Sequence, residues 1–185
     1  MNFCMWITGL PGSGKTAVAR ELERIADEGH VDLLILHLDE LRQFLTPEPR
    51  YTDEERELVY RALVSLAEWL VREGRRNVLI DATGNRQAFR DLARERIHEF
   101  AEIYLNCPLK VCQEREAGRK TGLVETDLYQ KARTHQLEGK MPGVTTPYEA
   151  PKRPELEIPT QQLSPRESAE QIMNYVHSRW LSTVG

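Results

Sequence analysis

The sequence predicts an α/β fold, a parallel sheet with helices on both faces, and two observations predict it. Short apolar runs alternate with segments of helical periodicity along nearly the whole chain. The first apolar run leads straight into Gly9-Leu10-Pro11-Gly12-Ser13-Gly14-Lys15-Thr16, a G-x-x-x-x-G-K-[ST] pattern set between a strand and a helix. That context narrows the class to a three-layer P-loop NTPase or kinase fold.

Taken in order, Phe3 to Thr8 reads as a buried strand. After Thr16, apolar Val18, Leu22 and Ile25 recur at helical spacing until Gly29 supplies a stop. Residues 31–39, VDLLILHLD, are too short and uniformly apolar for an amphipathic helix and read as the second strand. Thr52-Asp-Glu-Glu55 is a capping box; the helix it opens carries Val59, Leu63, Leu66 and Leu70 on its inward face and should end at Gly74. Residues 77–83 form the third strand candidate. A helix over 86–98 with Phe89, Leu92, Ala93 and Ile97 follows, then a strand over 102–106. Pro108 suits a first helical position before Leu109, Val111 and Cys112. ELEIPT reads as an edge strand, and Ser164 caps a last helix that turns Ile172, Met173, Val176 and Trp180 inward.

At 185 residues the chain is long enough for one domain, 1–185, with a proper core. A net charge of −4 gives no general reason to expect nucleic acid as a partner. Cys4, Cys107 and Cys112 suit neither a disulfide framework nor a common zinc pattern. No apolar run reaches about 18 residues, so no membrane span is expected. The N-terminus runs directly into the phosphate motif without a signal peptide, and a cytoplasmic protein is the simplest reading. Two stretches break the alternation. The basic, glycine-containing run from 114 to about 128 reads as a lid. The proline-rich run at about 140–155, continuing to Pro159, reads as an ordered loop covering a substrate site.

The glycines let the loop's N–H groups converge on phosphate oxygens. Lys15 adds positive charge at the outer phosphates, Thr16 a hydroxyl for Mg²⁺, and the helix N-terminus a favourable dipole. ATP with Mg²⁺ is therefore the expected nucleotide. Asp39 after the second strand and Asp81 ending the third compete for two jobs: tethering the metal's water shell and taking a proton from an acceptor hydroxyl. A simpler reading has one of them only capping a helix. Arg42 and Arg56 are the residue type for binding anionic oxygens. Tyr51 is placed to stack on a flat ring or to serve as a helix staple. Arg115, Arg119 and Lys120 are placed either to close over the phosphates or to remain solvated charges. The five histidines have no metal-ligand spacing. Arg86, Arg90, Arg94 and Arg96 form a basic run, most simply a solvated helix face.

These residues resemble the adenylylsulfate (APS) kinase family over roughly residues 3 to 180. The most specific segments lie late in the chain. NCPLKVCQER is similar to the family's T-P-L-E-V-C-E-x-R, and DLYQKAR to its G-L-Y-x-K-A-R. PGVTTPYEAPKRPELEIPT is similar to T-G-I-D-x-P-Y-E-x-P-x-x-P-E-L-x-x-x-T. The resemblance implies transfer of the ATP γ-phosphoryl to the ribose 3′-hydroxyl of adenosine 5′-phosphosulfate. On the family's D-G-D-N-V-R, Asp39 falls on the second aspartate, implicated in metal binding and hydroxyl activation, and Arg42 on the substrate-binding arginine. Tyr51 replaces the phenylalanine that stacks on substrate adenine. Arg56 matches an arginine on the substrate's anionic groups, and Lys131 and Tyr148 match the substrate-side wall. The family's habit of forming dimers makes a homodimer the expected assembly by analogy.

The departures fall on the acceptor side. His37 and Leu38 replace the first aspartate and the glycine, and Val59 stands where the family has a substrate-contacting asparagine. DATGNRQAFR replaces the I-S-P-x-R region, with Gly84 on its serine, and the lid is longer. The expected function is therefore an APS kinase, with a kinase of another nucleotide-linked acceptor as the alternative. An ATPase switch lacks support, since no N-K-x-D motif occurs, and a kinase of nucleic-acid ends rests only on the basic run at 86–96.

Overall fold

The computed structural model describes residues 2–50, 52–118, 143 and 145–182. Their strands are β1 (Cys4–Thr8), β2 (Leu33–His37), β3 (Asn77–Asp81), β4 (Phe100–Asn106) and β5 (Leu156–Pro159), in sheet order β2-β3-β1-β4-β5. Every pairing is parallel. The helices are α1 (Lys15–Glu28), α2 (Leu38–Leu45), α3 (Asp53–Arg72), α4 (Gln87–Arg96), α5 (Leu109–Ala117) and α6 (Pro165–Val176), which runs on into a π-helical turn at His177–Leu181.

Alternation along β1 divides the core into two layers. Phe3, Met5 and Ile7 face α1 and α6, packing with Val18, Leu22, Ile172, Val176 and Trp180. Cys4 and Trp6 face the other way, against Val59, Leu63 and Ala67 of α3 and Phe89 and Ala93 of α4. Side chains of successive strand residues point to opposite faces, so a strand apolar at every position must be covered on both sides. The result is the expected helix–sheet–helix sandwich.

Of the two expected capping boxes, the one at Ser164 forms in full and the one at Thr52 only by half, because the Glu55 carboxylate accepts from Arg50 N at 2.7 Å instead of reaching back to Thr52. Thr52 Oγ1 accepts from Glu55 N at 3.2 Å, and Ser164 and Glu167 form a reciprocal capping box with Pro165 at the first helical position. The expected second strand is shortened: β2 stops at His37, and Leu38 and Asp39 already lie in the first turn of α2. On α3 the inward face is Val59, Tyr60, Leu63, Val64 and Ala67, while Leu66 is turned outward at the margin. Residues 114–117 of the expected lid belong to α5, which continues to Ala117; from 119 the expected lid lies outside the described residues. Among the described residues no helix is long and apolar enough to cross a membrane.

Candidate active site

The strand order places β1 at the centre, with β3 and β4 on either side, so the chain leaving β1 emerges over a crevice between diverging connections. The phosphate loop fills that position. Ser13 N donates to Leu10 O at 3.0 Å, and Gly14 leads into α1 in a left-handed conformation. Gly12 has φ 80°, and a Cβ there would lie 2.4 Å from the carbonyl oxygen of Cys112. The first turns of α5 therefore back the loop so closely that only glycine fits.

Lys15, Thr16 and Asp81 meet at the loop's mouth. Lys15 Nζ donates to the carbonyl oxygens of Gly9 and Leu10, both at 3.0 Å. Burial pulls its pKa down, while the carboxylates of Asp81 and Asp39 pull it back up. Thr16 Oγ1 donates to Asp81 Oδ2 at 3.0 Å, and His37 Nδ1 lies 3.1 Å from the same oxygen. The β2–β3 register, which sets His37 opposite Asp81, explains that contact. Burial alone would raise the Asp81 carboxyl; the His37 hydrogen bond, Lys15 and Thr16 outweigh it and hold it below the usual range. The bond to Asp81 in turn raises His37. Asp39 is exposed in the first turn of α2.

The two candidate acceptor arginines are Arg42 in α2 and Arg56 in α3. Arg42 pairs with Glu55 at 3.6 Å. Arg56, 7% exposed, donates from Nη1 to Asn85 Oδ1 at 3.4 Å. Burial lowers its pKa, and Arg42 adds to that lowering. Tyr148, from the proline-rich segment, has its hydroxyl 2.9 Å from Thr8 Oγ1, which itself donates to Thr83 O at 2.6 Å. Burial pushes the Tyr148 phenol up. The segment packs on the phosphate loop as well: a Cβ on Gly143 would meet the Leu10 side chain at 2.6 Å. Arg115 sits apart, at the β4–β5 side, donating to Thr160 O at 2.7 Å and toward Cys107 Sγ at 3.8 Å. Tyr51 and Lys131 lie outside the described residues.

The sequence reading missed Asn85 and Glu102 here and gave His37 and Arg90 no role in the site. His37 carried no spacing signal; only the strand register reveals it. Asn85, 2% exposed, and Glu102, also 2% exposed, are buried polar groups in the β3–α4 turn and in β4. Arg90 corrects the reading of 86–96 as a solvated basic face. It is fully buried, paired with Glu102 and donating to Gly84 O, to Gln87 Oε1 at 2.8 Å and to Glu149 O at 2.5 Å. The other arginines of the run are paired as well: Arg86 with Asp53 at 3.1 Å, Arg94 with Glu155, and Arg96 with Glu68 at 2.8 Å. A signal existed in sequence. Arg90 shares the helical face of Ala93 and Ile97, and Glu102 interrupts an apolar strand; two charges at core positions imply each other.

A central strand, a glycine loop at its carboxyl end and a helix rising from that loop, in this strand order, define the P-loop kinase fold. The chain belongs to the adenylylsulphate kinase family, whose family model matches residues 1–159. The adenylyl-sulfate kinase of Halothermothrix orenii is 35% identical over 175 residues, covering 95% of this chain and 89% of that protein. The APS kinase of Mycobacterium tuberculosis, solved in complex with AMPPNP and APS, is 29% identical with a TM-score of 0.82, covering 95% of this chain and 98% of that one. A sugar kinase from Janibacter sp. shares the fold, with a TM-score of 0.68 at 18% identity.

Proposed function

We propose that this protein is an adenylylsulfate kinase, moving the γ-phosphoryl of ATP to the 3′-hydroxyl of adenosine 5′-phosphosulfate. The observation that carries the reading is the gathering of Lys15, Thr16, Asp81 and His37 at the mouth of the glycine loop, with the acidic Asp39 and the Arg42–Arg56 pair beside it.

The loop from Gly9 to Thr16 cradles the ATP phosphates with its N–H groups. Lys15 releases the carbonyls of Gly9 and Leu10 and turns to the outer phosphates. Thr16 Oγ1 and Asp81 Oδ2, 3.0 Å apart, are hard oxygen donors of the kind Mg²⁺ takes through a few direct or water-bridged contacts, so the site fits that ion. When bound, Mg²⁺ neutralises charge on the phosphates. Asp39 accepts the hydroxyl proton as the acceptor oxygen bonds to the γ-phosphorus; the bond from that phosphorus to the β,γ-bridging oxygen breaks and ADP leaves. Arg42 and Arg56 hold the acceptor's anionic groups, with Tyr51, Lys131 and Tyr148 as its wall and Arg115 on the nucleotide side. Positioning and charge neutralisation supply most of the rate. A single domain, a cytoplasmic setting with its ATP supply, and a homodimer belong to the same reading.

The test is ADP release from Mg·ATP with and without APS, with the 3′-phosphorylated product identified. APS-dependent turnover, lost in Lys15→Ala, is expected; equal release without acceptor would replace the kinase reading with an ATPase. A second reading, a different nucleotide-linked acceptor, is favoured by one observation. Val59, on the family's substrate-contacting asparagine, is fully buried in the core and brings no polar group to an acceptor. Turnover of other nucleotides but not APS would select it. The ion-paired state of Arg86, Arg94 and Arg96 weighs against a nucleic-acid acceptor.

A further inference from the structure

Asn85 occupies a position that the acceptor chemistry alone does not explain. It follows Gly84 and so stands on the proline of the family's I-S-P segment, a residue whose side chain neither donates nor accepts. Here the side chain does both. Oδ1 accepts from Arg56 Nη1 at 3.4 Å, and Nδ2 donates to Pro147 O at 3.3 Å. Its main-chain oxygen accepts from Glu149 N at 2.8 Å.

The surroundings hold Asn85 in place. Gly84, at φ 53°, donates its N–H to the Tyr60 hydroxyl at 3.0 Å and gives its carbonyl to the buried Arg90, which also reaches Glu149 O. The Glu149 carboxylate accepts from Gln87 N at 2.6 Å, and Tyr148 meets Thr8. The segment 147–149 is thus fastened to β1, to the β3–α4 turn and to the start of α4, and Asn85 links this framework to Arg56.

We propose that Asn85 is a positioning residue for the acceptor: it fixes the plane of the Arg56 guanidinium and ties that arginine to the Pro147–Glu149 segment. This rests on the reading of Arg56 as an acceptor-binding residue. An arginine grips an anion with two parallel N–H groups, and the grip is specific only when the plane of the fork is set. Asn85 sets it from the side of the β3–α4 turn, where a proline would leave Nη1 without this oxygen. Both side-chain bonds are near the long end of the useful range, so the effect on the acceptor is moderate.

The experiment is a double-mutant cycle on APS kinetics with Arg56→Ala, Asn85→Ala and the pair, together with Asn85→Asp. Asn85→Ala should raise the KM for APS about tenfold, worth about 1.4 kcal/mol, with the KM for ATP unchanged within about twofold. The double variant should be no worse than Arg56→Ala. Asn85→Asp keeps an oxygen facing Nη1 but loses the donor to Pro147 O, so it should recover part of the loss, with a KM for APS between those of the original protein and Asn85→Ala. It also covers the case in which Asn85→Ala does not fold. Effects of Asn85→Ala and Arg56→Ala that multiply in the double variant overturn the coupling while leaving Arg56 as an acceptor residue. So does an Asn85→Asp variant as impaired as Asn85→Ala. An unchanged KM for APS in Arg56→Ala removes the underlying reading instead, and the proposal with it.

Discussion

Replacing Arg90 with methionine removes a charge from the core while keeping most of its volume. The Glu102 carboxylate, 2% exposed, then loses its nearest partner, and the carbonyls of Gly84 and Glu149 lose a donor. Breaking a buried ion pair from one side costs about 3–5 kcal/mol. Arg94, with Nη2 3.5 Å from Glu102 Oε2, keeps part of the compensation, which places the expected loss near the lower end, about 3 kcal/mol. For a chain of 185 residues each kcal/mol moves Tm by about 2–4 °C, so Tm should fall by about 6–12 °C. Urea unfolding measures the free energy directly, with an unchanged m-value showing that the native state is as compact as before. The double variant Arg90→Met with Glu102→Leu removes both charges and should recover the ion-pair part of the loss, since an apolar replacement of a buried pair is often neutral, while the carbonyls of Gly84 and Glu149 stay without the Arg90 donor. A single-variant loss below about 1 kcal/mol, or a double variant less stable than the single, would refute the account of Arg90 as a buried, Glu102-paired fastener.

Gly12→Ala places a Cβ against the Cys112 carbonyl at a positive φ; a strain of about 1–3 kcal/mol concentrated in the phosphate loop should raise the KM for ATP more than it lowers Tm, read by kinetics beside a thermal melt. Asp39→Asn and Asp81→Asn should separate: the first lowers kcat by about 10²–10⁴-fold with an unaltered Mg²⁺ requirement, whereas the second shifts the Mg²⁺ titration to higher concentration. Glu155 accepts from Arg94 and from Glu102 N; burial works against its charge, but those bonds hold its pKa below the ordinary value. A carboxyl depressed on folding stabilises above its unfolded pKa of about 4.3, and loses that contribution as pH falls through the folded value. Glu155→Gln should therefore lower stability near neutrality by about 0.5–1 kcal/mol, the modest scale of a partly exposed pair, and flatten the acid limb, the two proteins converging once pH has fallen through the folded value.

The architecture was legible because it rests on local signals. Strand residues apolar at every position, helices punctuated by Thr52, Ser164 and Gly29, and a glycine loop between strand and helix each state their role within a few residues. The loop from Gly9 to Thr16 was legible for the same reason. The acceptor side was not, because its geometry is assembled across distance: His37 reaches Asp81 through strand register, and Arg56 reaches Asn85 across the α3–β3 boundary. Arg90 was misread because charge on a helix is normally solvated, and only its shared face with Ala93, together with an acid inside β4, marked it as buried. Leu38 and Asp39 were drawn into the strand by an apolar run that does not stop where the hydrogen-bonded ladder does.

The central place of β1 has a further consequence, for the order in which the chain is made. Cys4 pairs with Val78 on one side and is opposite Phe100 on the other, and Gly12 is backed by Cys112. During synthesis the glycine loop therefore leaves the ribosome before both of its flanking strands and before its backing helix. Nucleotide stabilises by binding the folded form in preference to the unfolded one, so it finds no site on the growing chain and can favour only the nearly finished domain. Until those elements arrive the loop waits as solvated glycine-rich polymer, and the apolar run of β1 waits beside it.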